Sequence, residues 1–512
     1  MTKWNRREWL AGTSVAAFAP AARGAKLEVT SKLYESVGVR PFINCKGTYT
    51  ILTGSQSLPE VKQAMLEASK HYVHLDELMN GVSKRIAEIT KAPWGIVTAG
   101  CAAAIAHATA ACIAGADPEK MQRLPKLDGM KNQVVMPRYA RNVYDHATRM
   151  TGATVVEVET ESEMRAALGP KTAMVMIMSQ PAAERGPLSI ENTAKITREK
   201  NIPLLVDAAA ETLTIPNIHL AHGATMVAYS GGKCMRGPQA AGLLLGPKDL
   251  LEAAWLNSAP HHAFGRALKA GKEEIMGMLA ALEMWTQRNQ DAEWKQWESW
   301  LTYIKDRACR INGVTSEIVL PEDLSNHAPQ LRLKWDAAKL GITGKEVQQA
   351  LDRGTPRIYL ADSTGERPKQ MASSVMIMPY MMQPGEHIPV AQALVEILSH
   401  PPKFDNPVVP PGDPAKVGGT WKAELHFTRG TAAHEFSFDQ NGESLKGNHK
   451  MEFLSNPLHG EMHSREITFQ SAHRFEGTVL EYEFHGTVDG DSMTGKVRMG
   501  EYGVAEWTAK RV

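Results

Sequence analysis

Apolar residues arrive along this chain in short runs that alternate with stretches of helical spacing. Residues 95–98, 134–136, 154–158, 173–178, 203–206, 226–229 and 240–245 are brief and mostly apolar, the pattern of strands buried on both faces. Residues 60–71, 75–90, 161–168 and 190–200 carry apolar positions at helical spacing, and an alanine-rich run continues from Gly100 to Ala116. Strand and helix in alternation predict right-handed βαβ units around a mostly parallel sheet covered on both faces. A second, smaller α/β unit is predicted from strands at 330–335, 357–360 and 374–378 and helices at 344–352 and 390–398. After a proline-rich stretch the period drops to two, as in Trp421, Ala423, Leu425 and Phe427, with turn signals at Asn441-Gly442 and Asp489-Gly490. That pattern predicts an antiparallel meander forming a small barrel or sandwich.

The expected organisation is a large domain with its N-terminal segment at 26–270, a small α/β domain at 271–400, a stiff linker at 401–417 and a β domain at 418–512. The histidines of the β domain, from His426 to His485, read as surface residues, and no metal site is expected. Residues 1–25 open with Arg6-Arg7, continue with Trp9-Leu10 and a weakly apolar stretch to Ala22, and match a twin-arginine signal too short to span a bilayer. A periplasmic protein is the expectation. The five cysteines are scattered and include no CxxC pair, so free thiols are expected of a chain that folds in reducing cytosol before export. Formal net charge is +1, with 57 basic and 56 acidic residues. This balance lacks the basic surface that nucleic acid demands.

Candidate chemistry centres on Lys233. It stands in Ser230-Gly231-Gly232-Lys233, between the apolar runs 226–229 and 240–245. Desolvation disfavours an ammonium group, which helps a lysine that must act as a neutral nucleophile in Schiff-base chemistry. A solvated lysine at a hairpin tip is the competing reading. Asp207 ends the run 203–206, and a carboxylate at the carboxyl end of a parallel strand stands where α/β sheets bind ligands. Thr98, Gly100 and Cys101 form a strand, a glycine turn and a helix start; free N–H groups and a positive dipole end suit a phosphate. Ser230 and the turn amides beside Lys233 offer further phosphate donors. Cys101 and Cys234 themselves read as small polarizable filler. Arg357 and the cations Arg266, Lys269 and Lys272, expected on neighbouring helical turns, are candidates for gripping a substrate carboxylate or phosphate. For each of these, a structural ion pair or a solvated face is the alternative.

Taken in chain order, Asn44-Cys45-Lys46-Gly47-Thr48, Val97 through Ala103, Arg141-Asn142-Val143-Tyr144-Asp145-His146, Val206-Asp207, Ser230 through Lys233 with Gly237-Pro238-Gln239, and Gly354 through Ile358 resemble one family. It is the fold-type-I (aspartate-aminotransferase-like) pyridoxal phosphate (PLP) enzymes, in the branch of selenocysteine synthase (seryl-tRNA selenium transferase) and D-glucosaminate-6-phosphate ammonia-lyase. The resemblance spans residues 33 to 400 and leaves out the β domain. It implies PLP as cofactor, Lys233 as its covalent anchor, Asp207 against the pyridine nitrogen, and His146 stacked on the ring with Tyr144 in reserve. It implies Ser179-Gln180 near the cofactor's phenolic oxygen, Arg357 on the substrate carboxylate, and a homodimer or larger homo-oligomer. The expected activity is a Cα-carbanion reaction on a free amino acid, by elimination to a 2-oxo acid. A racemase or epimerase, an aminotransferase, and a non-catalytic surface protein are the alternatives.

Overall fold

The computed structural model describes residues 28–406, 408 and 410–512; the twin-arginine stretch lies outside them. The described residues form two compact units that separate between Phe404 and Asp405. No described helix is long and apolar enough to cross a membrane.

The first unit holds two hydrophobic cores. Strand β1 (Ile43–Cys45) belongs to the second of them, whereas the strands that follow build the first. These are β2 (Trp94–Thr98), β3 (Gln133–Pro137), β4 (Thr154–Val158), β5 (Thr172–Met178), β6 (Leu204–Asp207), β7 (Met226–Ser230) and β8 (Gly242–Gly246). They form one seven-stranded sheet in the order β2-β8-β7-β6-β5-β3-β4. Pairings from β7 through β6, β5 and β3 to β4 are parallel, and β8 alone runs against both its neighbours. The carboxyl ends of β2, β5, β6 and β7 therefore share one sheet edge with the start of β8. The alanine-rich helix Cys101–Ala114 packs on this sheet with nearly every side chain buried, and small residues let it lie close.

The helix Lys272–Gln287 inserts Ile275, Met278, Leu282 and Trp285 into the first core. The small domain therefore begins near residue 288 rather than at residue 271. Helix Gln290–Ala308 packs on the second core beside β9 (Thr315–Val319), β10 (Gln330–Asp336), β11 (Ile358–Leu360), β12 (Asp362–Glu366) and β13 (Gln370–Ile377). Strands β9, β10, β12 and β13 make an antiparallel sheet, while β11 pairs in parallel with β1. That pairing joins residues 43–45 to the small domain, contrary to their expected place in the large one, whereas Ser55 to Leu58 do bond to the large domain. The physical reason is burial: Ile43 and Cys45 have an apolar face to cover, and it meets Ile358 and Leu360.

The second unit is a closed eight-stranded antiparallel barrel, β14 (Gly419–His426), β15 (Thr431–Asn441), β16 (Ser444–Lys450), β17 (Ser455–His463), β18 (Glu466–Phe475), β19 (Thr478–Asp489), β20 (Ser492–Arg498) and β21 (Val504–Arg511). Trp421, Phe436, Phe484 and Trp507 are among its fully buried side chains, and Phe469 stacks on Phe484 at 4.4 Å. Both turn signals fall where strands reverse, with Gly442 and Gly490 at φ +59°. The surface expectation for the histidines fails for three of them. His434 shares the inward face of β15 with Phe436 and Phe438, and His473 shares that of β18 with Ile467, Phe469 and Ser471; His449 is also buried. Among the described residues, no group of His, Cys, Asp or Glu is disposed to hold a metal ion.

Candidate active site

Asp207 is the last residue of β6 and is 4% exposed. Its backbone carbonyl accepts from the amide of Ser179, at the end of the neighbouring strand β5, at 2.9 Å. Its Oδ1 accepts from the Ala209 amide at 3.1 Å and from the Cys101 thiol at 3.4 Å. Burial raises the carboxyl's pKa, opposed by these two donors and by the nearby charge of Lys233. Burial and the adjacent Asp207 push the Cys101 thiol well above its ordinary value, so it is a neutral donor. Asp207, Cys101 and Lys233 thus act on one another at a single sheet edge.

Lys233 lies half-buried on the loop between β7 and β8. This loop is held from several sides. The Ser55 amide donates to Gly232 O at 3.0 Å, the Leu58 amide to Arg236 O at 3.1 Å, and Ser57 Oγ to Gly237 O at 3.0 Å. Arg288 donates Nη1 to Cys234 O at 2.6 Å while gripping Glu293 through two nitrogens, and the Cys234 thiol donates to Glu211 O at 2.9 Å. A Cβ on Gly232 would stand 2.4 Å from the Gln239 Cα, which makes that glycine a steric necessity. Both cysteines expected as filler therefore also donate hydrogen bonds.

Gly100 caps the Cys101–Ala114 helix at φ +85°, and Thr98 Oγ1 donates to Gly100 O at 2.9 Å, closing the turn. Strand β8 begins against this turn: a Cβ on Gly242 would sit 2.4 Å from the Gly100 carbonyl carbon. Gly242 pairs with both Thr98 and Ser230, so one residue brings the phosphate-type turn beside the lysine loop. The first turn of the helix bears no acidic side chain, and its amides point out of the helix start.

These residues fit PLP. Asp207 Oδ2 receives no hydrogen bond from the described residues, and the Ser179 hydroxyl is buried without a partner. An acceptor for a ring N–H, a free hydroxyl beside it, a lysine within electrostatic reach and a helix start free of anions make a matching donor and acceptor set.

Other expected residues make contacts of their own. The motif from Arg141 leads into a short helix, Asp145–Arg149, and Arg141 pairs with the buried Asp145 and with Glu157. His146 is exposed, its Nδ1 3.4 Å from Arg149 Nη2, and it makes no hydrogen bond or ring contact with Asp207 or Lys233. Arg357 has its fork engaged by Asp352 at 2.7 Å and by the Tyr359 hydroxyl at 2.7 Å, which is the structural ion pair rather than a free carboxylate clamp. Gln180 Nε2 donates to Tyr139 O at 2.5 Å. Arg266 and Lys269 are exposed on an irregular segment between helices ending at Leu256 and starting at Lys272, so they do not sit on helical turns; Lys272 pairs with Glu273. Sequence reading missed Gly242, the Arg288–Glu293 clamp and a buried pair behind Asp207, His219 Nε2 to Glu211 Oε2 at 2.5 Å.

Residues 61–270 match the family Aminotransferase class-V. D-glucosaminate-6-phosphate ammonia lyase of Salmonella typhimurium is 30% identical over 384 residues, covering 73% of this chain and 99% of that protein. The solved structure of D-glucosaminate-6-phosphate ammonia-lyase superposes with a TM-score of 0.64 at 29% identity, covering 72% of this chain and 99% of that one. A 5'-C-glycyluridine monooxygenase-decarboxylase of Streptomyces sp is 29% identical over 341 residues, covering 64% of this chain and 84% of that protein. Fold and matches together define a fold-type-I enzyme that depends on PLP. The chain belongs to the Aminotransferase class-V family, in the branch that holds D-glucosaminate-6-phosphate ammonia lyase.

Proposed function

We propose that this enzyme acts on a free amino acid by removing the Cα proton and expelling a β-hydroxyl as water, after which hydrolysis releases ammonia and a 2-oxo acid. Bound PLP supplies a ring that delocalises the negative charge left at Cα. Lys233 would hold the cofactor covalently when it is bound, and it is the base that takes the Cα proton. Asp207 Oδ2 would hold a proton at the ring nitrogen, and the first-turn amides after Gly100, with Ser230, would bind the phosphate. The reading rests on one observation above others: a carboxylate that is 4% exposed and has one oxygen without a protein donor ends β6, at the sheet edge where the loop after β7 carries Lys233. Likeness to an ammonia lyase over nearly the whole of that protein supports elimination.

The test is a panel of D- and L-amino acids assayed in parallel for ammonia, 2-oxo acid and optical rotation. Ammonia and 2-oxo acid in equal amounts are expected from a β-hydroxy amino acid. Rotation decaying to zero with no ammonia released would overturn elimination.

We further propose export through Arg6-Arg7 and a homodimeric or larger assembly. Replacing both arginines with lysine is expected to hold active enzyme in the cytoplasm, and its continued appearance in the periplasm would refute the export reading. Light scattering of the holoenzyme measures the assembly, and a monomer would refute it.

A further inference from the structure

We propose that Cys101 is a positioning residue for Asp207: its thiol donates to Oδ1, fixes the carboxylate plane and leaves Oδ2 alone to face the cofactor's ring nitrogen. This inference rests on the reading of Asp207 given above and names the group that makes that aspartate effective. The torsion of a carboxylate about its last carbon–carbon bond is soft and roughly two-fold, so one donor leaves it free to swing. Two donors converging on one oxygen remove that freedom, and here they come from different elements: the Ala209 amide, two residues along the chain, and the Cys101 thiol, from the start of a helix.

The backbone that carries the thiol is confined. Cys101 is 7% exposed, and the backbone at Gly100 and Cys101 is pressed against Gly242, where a Cβ would come within 2.7 Å of the Cys101 nitrogen. A second orphan polar group marks the same place: Ser179, whose amide holds Asp207 O, has a buried hydroxyl with no partner. The charged groups acting on Asp207 are Lys233, which favours the carboxylate, and Glu211, which opposes it. A thiol is a weak donor, so it orients Oδ1 while withdrawing little of the basicity that Oδ2 needs. A cysteine suits this task better than a stronger donor would.

The experiment compares Cys101→Ala, Cys101→Ser and Asp207→Asn in the full-length protein reconstituted with PLP. Two readouts are independent of turnover: the dissociation constant for PLP, and the pH at which the visible absorbance of the holoenzyme changes. Cys101→Ala is expected to weaken PLP binding by roughly tenfold, the scale of one lost hydrogen bond to a charged group, and to move the absorbance midpoint in the direction that Asp207→Asn moves it. Cys101→Ser is expected to recover most of the PLP affinity. If Cys101→Ala destabilises the helix start, Cys101→Val removes the donor while filling the volume and is read in the same way. Unchanged affinity and midpoint in the cysteine variants, with both altered in Asp207→Asn, would overturn this inference and leave the aspartate's role standing. No change in Asp207→Asn would overturn both.

Discussion

Among the titratable side chains taken out of water in the described residues, one cluster lies at the edge of the seven-stranded sheet and another inside the barrel. At the sheet edge Asp207 feels the charge of Lys233, and one carboxylate oxygen has no protein donor. Inside the barrel, His434 Nδ1 lies 2.7 Å from His449 Nε2, His449 Nδ1 lies 2.7 Å from Ser471 Oγ, and His473 Nε2 lies 3.1 Å from His449 Nδ1. Tyr482, Phe436 and Phe484 surround the imidazoles, and no carboxylate is among the groups that act on them. Burial lowers all three, His434 to about 4 and His449 to about 2, with the other histidines repelling the charged forms of both. The barrel cluster is therefore neutral and, apart from His473 Nδ1, supplies its own partners, whereas the sheet-edge cluster leaves over a carboxylate oxygen under the influence of the Lys233 charge. Neither burial of a polar group nor an unfilled valence by itself signals function; an unfilled carboxylate acceptor under the influence of an opposite charge does.

The sharpest test of that contrast is Lys233→Ala. Turnover is expected to fall by at least about ten-thousandfold, ~5 kcal/mol of barrier, with no change in thermal midpoint, and wild-type rates would end the assignment. Asp207→Ala is expected to lower the rate about a thousandfold, ~4 kcal/mol, while borohydride still fixes PLP to Lys233 as seen by mass spectrometry. A loss below about tenfold would mean that another group holds the ring proton.

On the barrel side the expected effect is on stability. The histidines bind protons near pH 6.5 when unfolded but resist them when folded, so below about 6.5 the unfolded state takes up more protons and stability falls with pH. The slope reaches about 1.4 kcal/mol per pH unit for each histidine and persists for His434 until about 4. Hydrogen exchange in β15, β16 and β18 at pH 7.5 and pH 5 measures it; equal protection at both would show that the cluster is not held neutral. The smallest expected effect is that of Gly242→Ala, about 1–3 kcal/mol of overpacking at the Gly100 turn, together with weaker PLP binding by equilibrium titration. Unaltered binding would separate β8 from the phosphate-type turn.

Much of this organisation was legible because it depends on local periodicity. The sheet strands follow from apolar runs, and the barrel from alternation that holds through Trp421, Ala423 and Leu425. Lys233 and Asp207 stood out because a charged residue ending an apolar strand is chemically conspicuous. The remainder depends on tertiary proximity. Nothing near Arg288 in sequence says that it will reach Cys234 O, and Gly242 is unremarkable until β8 is seen to pair with both β2 and β7. Arg357 misled because its partner Asp352 lies across a turn whose geometry no periodicity reveals. The buried histidines misled because residue type outweighed register: His434 stands two places before Phe436, on the inward face.

Closure of the barrel has a consequence for how this part of the chain meets anything else. Strand β14 pairs with β15 on one side and with β21 on the other, so the cylinder offers no row of unpaired backbone groups along its wall. An extended peptide has nowhere to add itself as another strand, and the chains of two barrels cannot zip together edge to edge. Whatever docks there is recognised by side chains on the outer wall or at the loop ends, which the sequence can vary without disturbing the ladder that holds the barrel shut.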